Sequence, residues 1–192
     1  MRKSIVIALM MIVSANVFAQ EKEKRIHIGV KMGYVSTKLT PNYTDNNGIN
    51  YTYTAVGGVT VGGFMQMTIS KKILIQPEFL MVWKGTKHSG YNNYDRITYL
   101  EFPINLLAKL PVKSSFIFIG GGPSPAFRIT PDYGSYNGIA AFDLGVNILA
   151  GIQFPLGFSM QMNFTKGLLG VYKQNPQKLT NTALGLSIGY TF

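Results

Sequence analysis

The stretch Phe158-Ser-Met-Gln-Met-Asn-Phe-Thr165 decides the fold of this chain. Large apolar side chains occupy its even positions, and polar side chains occupy its odd positions. Successive side chains of a β-strand point to opposite faces, so this segment has one apolar face and one polar face. A helix would need a repeat of about 3.6 residues, which the segment lacks. The stretch predicts a β-strand between an apolar and a polar environment.

The end of the chain repeats this pattern and finishes on an aromatic residue. Small residues alternate there with large apolar ones, which we expect to face lipid: Leu184, Leu186, Ile188, Tyr190 and Phe192. A terminal aromatic on an amphipathic strand is similar to the signal that the outer-membrane assembly machinery recognises. The barrel-assembly machinery is therefore an expected partner.

Six further segments alternate in the same way, though less regularly. They cover residues 26–38, 59–70, 72–84, 97–110, 115–129 and 140–154. The segment 115–129 is the least regular, because Gly120-Gly121-Gly122 and two prolines interrupt it. Together with 158–165 and 183–192 these segments predict eight strands.

The connections between the segments alternate in length. Short ones cover residues 70–72, 111–114 and 155–157, whereas long polar ones cover 39–58, 85–96, 130–138 and 167–181. Short turns on one side and long loops on the other are typical of outer-membrane barrels, whose long loops lie outside the cell. The connections therefore predict antiparallel strands in up-and-down order.

Sequence alternation leaves two barrels open, one in a membrane and a soluble, lipocalin-like one with an apolar interior. The chain has only 14% charged residues, 12% aromatic residues and 21 glycines. Its polar face is mostly small or charged, and its apolar face carries too many large side chains for a narrow interior. A sheet that spans lipid must also close on itself, because its backbone groups find no water there. We therefore predict an all-β fold, an eight-stranded antiparallel up-and-down transmembrane β-barrel.

The N-terminus predicts export. Arg2 and Lys3 precede the apolar run Ile5–Val13, and Val17-Phe18-Ala19 offers small residues at the cleavage positions. We expect a signal peptide over 1–19, removed near Ala19, and a barrel domain over 20–192 in the outer membrane of a Gram-negative cell. A transmembrane anchor is the alternative, but the run is short for a span of about 20 residues.

The net charge of +10 is compatible with a nucleic-acid partner. We predict no such partner, because the N-terminus predicts export. We expect the positive charge at the barrel rims, facing outer-membrane lipid headgroups and lipopolysaccharide phosphates. Cysteine is absent, so the sequence provides no disulfide, no thiolate metal site and no lipoprotein anchor. Neither a cofactor nor a metal ion is predicted.

Two long stretches carry a family resemblance: Ser70-Lys-Lys-Ile-Leu-Ile-Gln-Pro-Glu-Phe-Leu-Met-Val-Trp-Lys-Gly85 and Tyr99-Leu-Glu-Phe-Pro-Ile-Asn-Leu-Leu-Ala-Lys109. They resemble the two hallmark strands of the PorT-like outer-membrane β-barrel family of Bacteroidota, and residues 27–33, 118–123 and 142–151 are similar to that family too. The resemblance implies an eight-stranded barrel but little about activity, since one fold carries many functions. The best-known member of that family takes part in a secretion system for surface proteins.

Five charged residues are predicted on the inner face: Lys31, Glu78, Glu101, Lys109 and Asp143. Charges in a narrow lumen are costly unless they are paired, so we expect an internal salt-bridge network. Such a network either replaces the apolar core that a membrane barrel lacks or gates a narrow ion path.

Catalysis is not predicted. His27 is expected on the inner face as a polar plug, and His88 lies in a long loop beside Ser89 with Asp95 nearby. A nucleophile and its base must meet within hydrogen-bond reach, whereas adjacent strand residues point apart. The glycine triplet lacks the lysine and helix of a phosphate-binding loop and indicates a bend or close packing instead.

Tyrosines concentrate in the predicted loops and rims, where they suit either an interfacial girdle or a binding surface. They are Tyr43, Tyr51, Tyr53, Tyr91, Tyr94, Tyr133, Tyr136 and Tyr172. The sequence thus predicts a non-catalytic barrel with a filled lumen. Its role is structural, adhesive or secretion-accessory, through its loops or periplasmic face and possible contacts with other envelope proteins. A narrow ion or small-solute channel and an outer-membrane lipid-modifying enzyme are the alternatives.

Overall fold

The computed structural model describes residues 26–40, 43–44, 50–51, 53–88, 94–130, 139–171 and 179–192. The predicted signal peptide and its cleavage site lie outside these residues. The strands are β1 Ile26–Thr40, β2 Tyr43–Thr44, β3 Asn50–Tyr51, β4 Tyr53–Ser70, β5 Ile73–His88, β6 Tyr94–Glu101, β7 Ile104–Val112, β8 Ser115–Arg128, β9 Phe142–Gln153, β10 Phe158–Gly167 and β11 Thr180–Thr191. No helix among the described residues is long and apolar enough to cross a membrane.

The strands form a closed antiparallel ring. The order is β4-β1-β11-β10-β9-β8, then β6 with β7, then β5, which pairs back with β4. Strands β6 and β7 are the two halves of one barrel strand, since both pair with β5 and with β8. Counting them as one reduces the nine-stranded sheet to eight strands, as the sequence predicts.

A proline causes the interruption between β6 and β7. Pro103 has no N–H to donate, so the regular ladder stops beside it. Its carbonyl still accepts a hydrogen bond from the Glu78 amide at 2.8 Å, and the Phe102 amide donates to the Pro125 carbonyl at 2.9 Å. The ring of backbone hydrogen bonds therefore remains closed here, which a barrel in lipid requires.

The three short turns lie where the sequence predicts them, at 71–72, 113–114 and 155–157. Gly157 has a φ of +84°, a conformation that suits glycine, and a Cβ there would lie 2.4 Å from the Thr191 carbonyl oxygen. We call this end of the barrel the turn end and the opposite end the loop end.

At the loop end the strands continue further than the alternation predicts. β1 reaches Thr40, β4 begins at Tyr53 and β5 reaches His88, so parts of the predicted loops are strand. A strand that extends beyond the lipid needs its backbone hydrogen bonds but no longer an apolar face. The alternation of apolar and polar residues therefore ends before the strand itself ends.

The outer surface of the barrel carries exposed large apolar side chains on β1, β4, β5 and β7 to β11. Met32 is 60% exposed, Ile148 57% and Leu186 57%. A continuous apolar surface of this size is unfavourable in water. The inner face holds the buried polar and charged residues, among them Lys31, Glu78 and Asn105. The apolar face thus points outward, away from the lumen, in agreement with the predicted membrane barrel.

Candidate functional site

The middle of the lumen is centred on a buried ion pair. Lys31 Nζ on β1 lies 2.5 Å from Glu78 Oε2 on β5, and both side chains are almost fully buried. The other carboxylate oxygen, Glu78 Oε1, accepts hydrogen bonds from Gln76 at 2.7 Å and Asn105 at 3.3 Å. The carboxylate is therefore compensated by one cation and two amide donors, as a buried charge requires.

Side-chain amides extend this pair across the lumen in two directions. Asn147 donates to Asn105 at 2.9 Å, and Thr165 donates to Asn147 at 3.0 Å. On the other side, Gln66 donates to Gln76 at 3.0 Å and to Gln153 at 3.1 Å. We call these eight residues the central network: Lys31, Gln66, Gln76, Glu78, Asn105, Asn147, Gln153 and Thr165. Their hydrogen bonds join β1, β4, β5, β7, β9 and β10, so the network crosses the whole lumen.

A second charged layer lies nearer the loop end. Lys84 Nζ is 2.5 Å from Glu101 Oε1, and it lies 5.0 Å from the ring centroid of Tyr99. Asp143 accepts a hydrogen bond from Asn181 at 2.8 Å and also interacts electrostatically with Lys84. A cavity of about 20 Å³ separates this layer from Lys31, which is room for about one water molecule.

Buried apolar clusters lie on both sides of the charged layers. At the turn end the cluster is Leu74, Leu107, Phe118 and Leu149, with Phe116 packed against it. At the loop end it is Leu39, Tyr53, Ile139, Val171 and Leu179. A third cluster between the charged layers comprises Val35, Leu80, Val82 and Ala183. Strand β5 displays this order, since Leu74, Gln76, Glu78, Leu80, Val82 and Lys84 all point inward.

The five predicted lumen charges do not form one network. The structure brings Lys31 and Glu78 together, but it pairs Glu101 with Lys84 and Asp143 with Asn181. Lys109 lies near the turn end with its Nζ 4.3 Å from the ring centroid of Phe116. Same-face residues can be counted from a sequence, whereas their partners depend on strand register and barrel tilt.

The prediction that the inner face is mostly small or charged is wrong for parts of the lumen. Leu74, Leu107, Phe118 and Leu149 are inward-facing and at most 1% exposed. These residues alternate in the sequence with apolar residues of the outer face. Both faces are therefore apolar at these positions, and the alternation of apolar and polar residues does not reveal which residues point inward. Alternation counted strictly along β5 and β7 would have placed Leu74 and Leu107 inside.

Of the two candidate histidines, the structure describes the side chain of His27 only. His27 is half-buried near the start of β1 and lies opposite Gln66 in the β1–β4 pair. His88 is the last residue of β5, and its side chain, like those of Ser89 and Asp95, lies outside what the structure describes. In the described part of the chain, no group of three His, Cys, Asp or Glu could hold a metal ion.

The tyrosine-rich surface also lies mostly outside the described side chains. Tyr53 is the exception: it is only 7% exposed and belongs to the apolar cluster at the loop end. It therefore packs inside the barrel instead of contributing to a loop surface. The terminal-strand residues Leu184, Leu186, Ile188, Tyr190 and Phe192 all point outward and are 37–57% exposed.

The barrel wall is irregular between β4 and β5, and we call this region the seam. The register shifts between the pairs Ala55–Thr86 and Thr60–Val82, so four residues of β4 oppose three of β5. The hydroxyl of Thr37, on β1, accepts a hydrogen bond from the Gly85 amide at 2.8 Å and donates to its carbonyl at 2.7 Å. A cavity of about 330 Å³, lined in part by Tyr34, Gly57 and Trp83, lies at this seam.

A closed antiparallel ring with an apolar outer surface and buried polar and charged residues inside is typical of an integral outer-membrane barrel. Residues 5–192 match the outer membrane protein beta-barrel domain, so the chain belongs to this family and resides in the outer membrane. A comparison with curated proteins finds no match.

Solved outer-membrane barrels share the fold. The outer membrane protein OprG from Pseudomonas aeruginosa is 13% identical with a TM-score of 0.54, over 86% of this chain and 95% of OprG. Neisserial surface protein A is 9% identical with a TM-score of 0.53, over 86% and 97% of the two chains. The outer membrane enzyme PagL is 13% identical with a TM-score of 0.50, over 84% and 98%. At these identities the likeness shows the fold alone.

Proposed function

We propose that this chain is a non-catalytic outer-membrane barrel with a sealed lumen. Its structural, adhesive or secretion-accessory role lies in its extracellular loops or its periplasmic face. One observation carries the proposal: the central network crosses the lumen, and buried apolar clusters lie on either side of it. A solute would have to break both an apolar contact layer and a paired charge to pass. Eight strands also leave an interior that side chains can fill.

The finer parts of the proposal rest on the sequence. The resemblance of residues 70–85 and 99–109 to PorT-like proteins favours a secretion-accessory role and a place among other envelope proteins. Under this proposal a signal peptide is cleaved near Ala19, and the terminal strand ending on Phe192 engages the barrel-assembly machinery. The turn end then faces the periplasm, and the loop end faces lipopolysaccharide.

Planar-bilayer recording tests the sealed lumen. The purified, folded barrel should give no steady single-channel current above that of the bare bilayer. A narrow channel is the second candidate, since the cavity of about 20 Å³ lies among Lys31, Lys84 and Glu101. Steady current steps that change with Glu101→Gln would establish that candidate and contradict the sealed lumen.

The non-catalytic part needs a separate test, because a sealed barrel can still carry an enzyme site on its rim. The lipid A of producing cells should be identical with the wild-type chain, with His88→Ala and without the chain. A lipid A species that requires the chain and disappears with His88→Ala would show a lipid-modifying enzyme instead.

A further inference from the structure

A row of cationic and hydroxyl side chains crosses the outer face of three neighbouring strands. In the strand register, Lys38 of β1 lies opposite Thr182 of β11, and Thr182 lies opposite Lys166 of β10. Residues opposite one another share a face, and neighbouring strands are about 5 Å apart. The two lysines therefore flank Thr182 on the outside of the barrel. Thr40, two residues beyond Lys38, belongs to the same face.

The ammonium group of Lys166 is held by hydroxyl groups. It donates to Thr182 Oγ1 at 3.0 Å and to Thr40 Oγ1, and these two oxygens are 2.8 Å apart. An ammonium group has three N–H donors, and these two hydroxyls are its acceptors among the described residues, which leaves one donor for a further acceptor. Threonine hydroxyls orient the charge but do not neutralise it.

The described side-chain carboxylates lie on the inner face of the barrel, whereas this row lies on the outer face. Those whose side chains the structure describes are Glu78, Glu101 and Asp143, and all three are buried in the lumen. Lys31 and Lys84 contact Glu78 and Glu101 there, whereas Lys38 is exposed and Lys166 is half-buried on the outer face. The row therefore presents two positive charges to whatever surrounds the barrel.

The depth of the row indicates what surrounds it. Leu184 and Phe164, the next outward residues toward the turn end, are 52% and 43% exposed and belong to the apolar band. In the other direction β1 and β10 end within a few residues, at Thr40 and Gly167. The row thus lies at the edge of the apolar band on the loop side, the depth of lipid headgroups. Cations at this depth favour anionic headgroups, above all phosphate.

We propose that Lys38 and Lys166, with Thr40 and Thr182, bind a phosphate of lipid A from the outer leaflet. Lys166 supplies its remaining N–H donor, and Lys38 supplies a second cation across Thr182. Thr40 and Thr182 are positioning residues, since they hold the Lys166 ammonium. This inference rests on the proposed orientation, in which the loop end lies outside the cell.

Native mass spectrometry of the full-length folded barrel tests the site with three probes: bisphosphorylated lipid A, lipid A lacking both phosphates, and phosphatidylglycerol. We expect retention of bisphosphorylated lipid A to fall about tenfold in Lys38→Gln/Lys166→Gln, as for the loss of two solvent-accessible ionic contacts. Lys71→Gln/Lys72→Gln is the matched control, because it removes two exposed lysines at the turn end. Its retention should remain that of the wild type.

Two conservative variants separate the site from general charge. Lys166→Arg should retain lipid A as the wild type does. Thr182→Val keeps every charge but removes one hydroxyl that orients the Lys166 ammonium group, so its retention of lipid A should fall about threefold. Equal retention by both double variants, or of lipid A with and without phosphate, would overturn the site. Equal retention of phosphatidylglycerol would overturn the choice of lipid A. Lipid retention tests only the lipid A site, and bilayer current tests only the sealed lumen. The failure of one proposal can therefore be distinguished from the failure of the other.

Discussion

At the scale of single residues, the stability of the barrel interior depends on the pairing of opposite charges within the lumen. Lys31 and Glu78 are almost fully buried and contact each other at 2.5 Å. Such a pair adds little stability relative to apolar residues, but removing one partner leaves an uncompensated buried charge. The cost of a substitution here therefore depends on whether the charge balance survives.

Glu78→Gln should destabilise the barrel by about 3 kcal/mol, because it leaves Lys31 buried without its carboxylate. Glutamine keeps an oxygen that accepts from Gln76 and Asn105, so the change removes mainly the charge. Urea unfolding of the detergent-solubilised barrel, followed by heat-dependent gel mobility, measures the free energy of unfolding.

The single variant Lys31→Met and the double variant Lys31→Met/Glu78→Gln complete a double-mutant cycle with Glu78→Gln. The double variant restores neutrality, so we expect it to be more stable than Glu78→Gln alone. If the two changes simply add, Lys31 and Glu78 are not energetically coupled, and the ion pair is not what holds this layer together.

At the scale of elements, the pairing of β4 with β5 is an irregular part of the wall. Four residues of β4 oppose three of β5 there, so the regular ladder is interrupted. The hydroxyl of Thr37 satisfies both backbone groups of Gly85 from a strand that is not the neighbour of β5. A single side chain thus replaces two ladder contacts.

Thr37→Val should therefore loosen this seam. It leaves the Gly85 amide and carbonyl without that partner, at a cost of about 1–3 kcal/mol. Amide hydrogen exchange should become faster at Gly85, while strands on the opposite side of the barrel stay protected.

Thr60→Val is the matched control for that change. Thr60 is also a buried, inward-facing threonine, but its hydroxyl makes no hydrogen bond within the described part of the chain. Its replacement should leave stability and exchange unchanged. Equal effects of the two substitutions would show that the Thr37 hydroxyl does not hold the seam.

The elements also show where prediction from sequence succeeds and where it fails. Period-two alternation locates the strands and the outward faces, as in Phe158–Thr165, because lipid requires apolar side chains at every second position. It misses the strand ends at Tyr53 and His88, where lipid no longer imposes a pattern. It cannot pair Lys84 with Glu101, because that contact depends on the stagger of strands around the ring.

At the scale of the whole molecule, the barrel is a layered plug inside an apolar cylinder. From the turn end to the loop end, the lumen passes through an apolar cluster, the central network, a second apolar cluster, a charged layer and a third apolar cluster. The eight-stranded ring could be predicted from the sequence. The layers could not, because alternation reports which residues point inward but not which of them meet.

Thiol labelling of single-cysteine variants tests the sealed lumen most directly, since the chain has no native cysteine. Ser187 is 2% exposed and points into the lumen, whereas Ser114 is exposed in a turn. With a charged methanethiosulfonate reagent, Ser187→Cys should react at least about tenfold more slowly than Ser114→Cys, since it reacts only through local opening. Equal labelling rates in the folded barrel would show that water and ions reach the middle of the lumen, and would contradict the account.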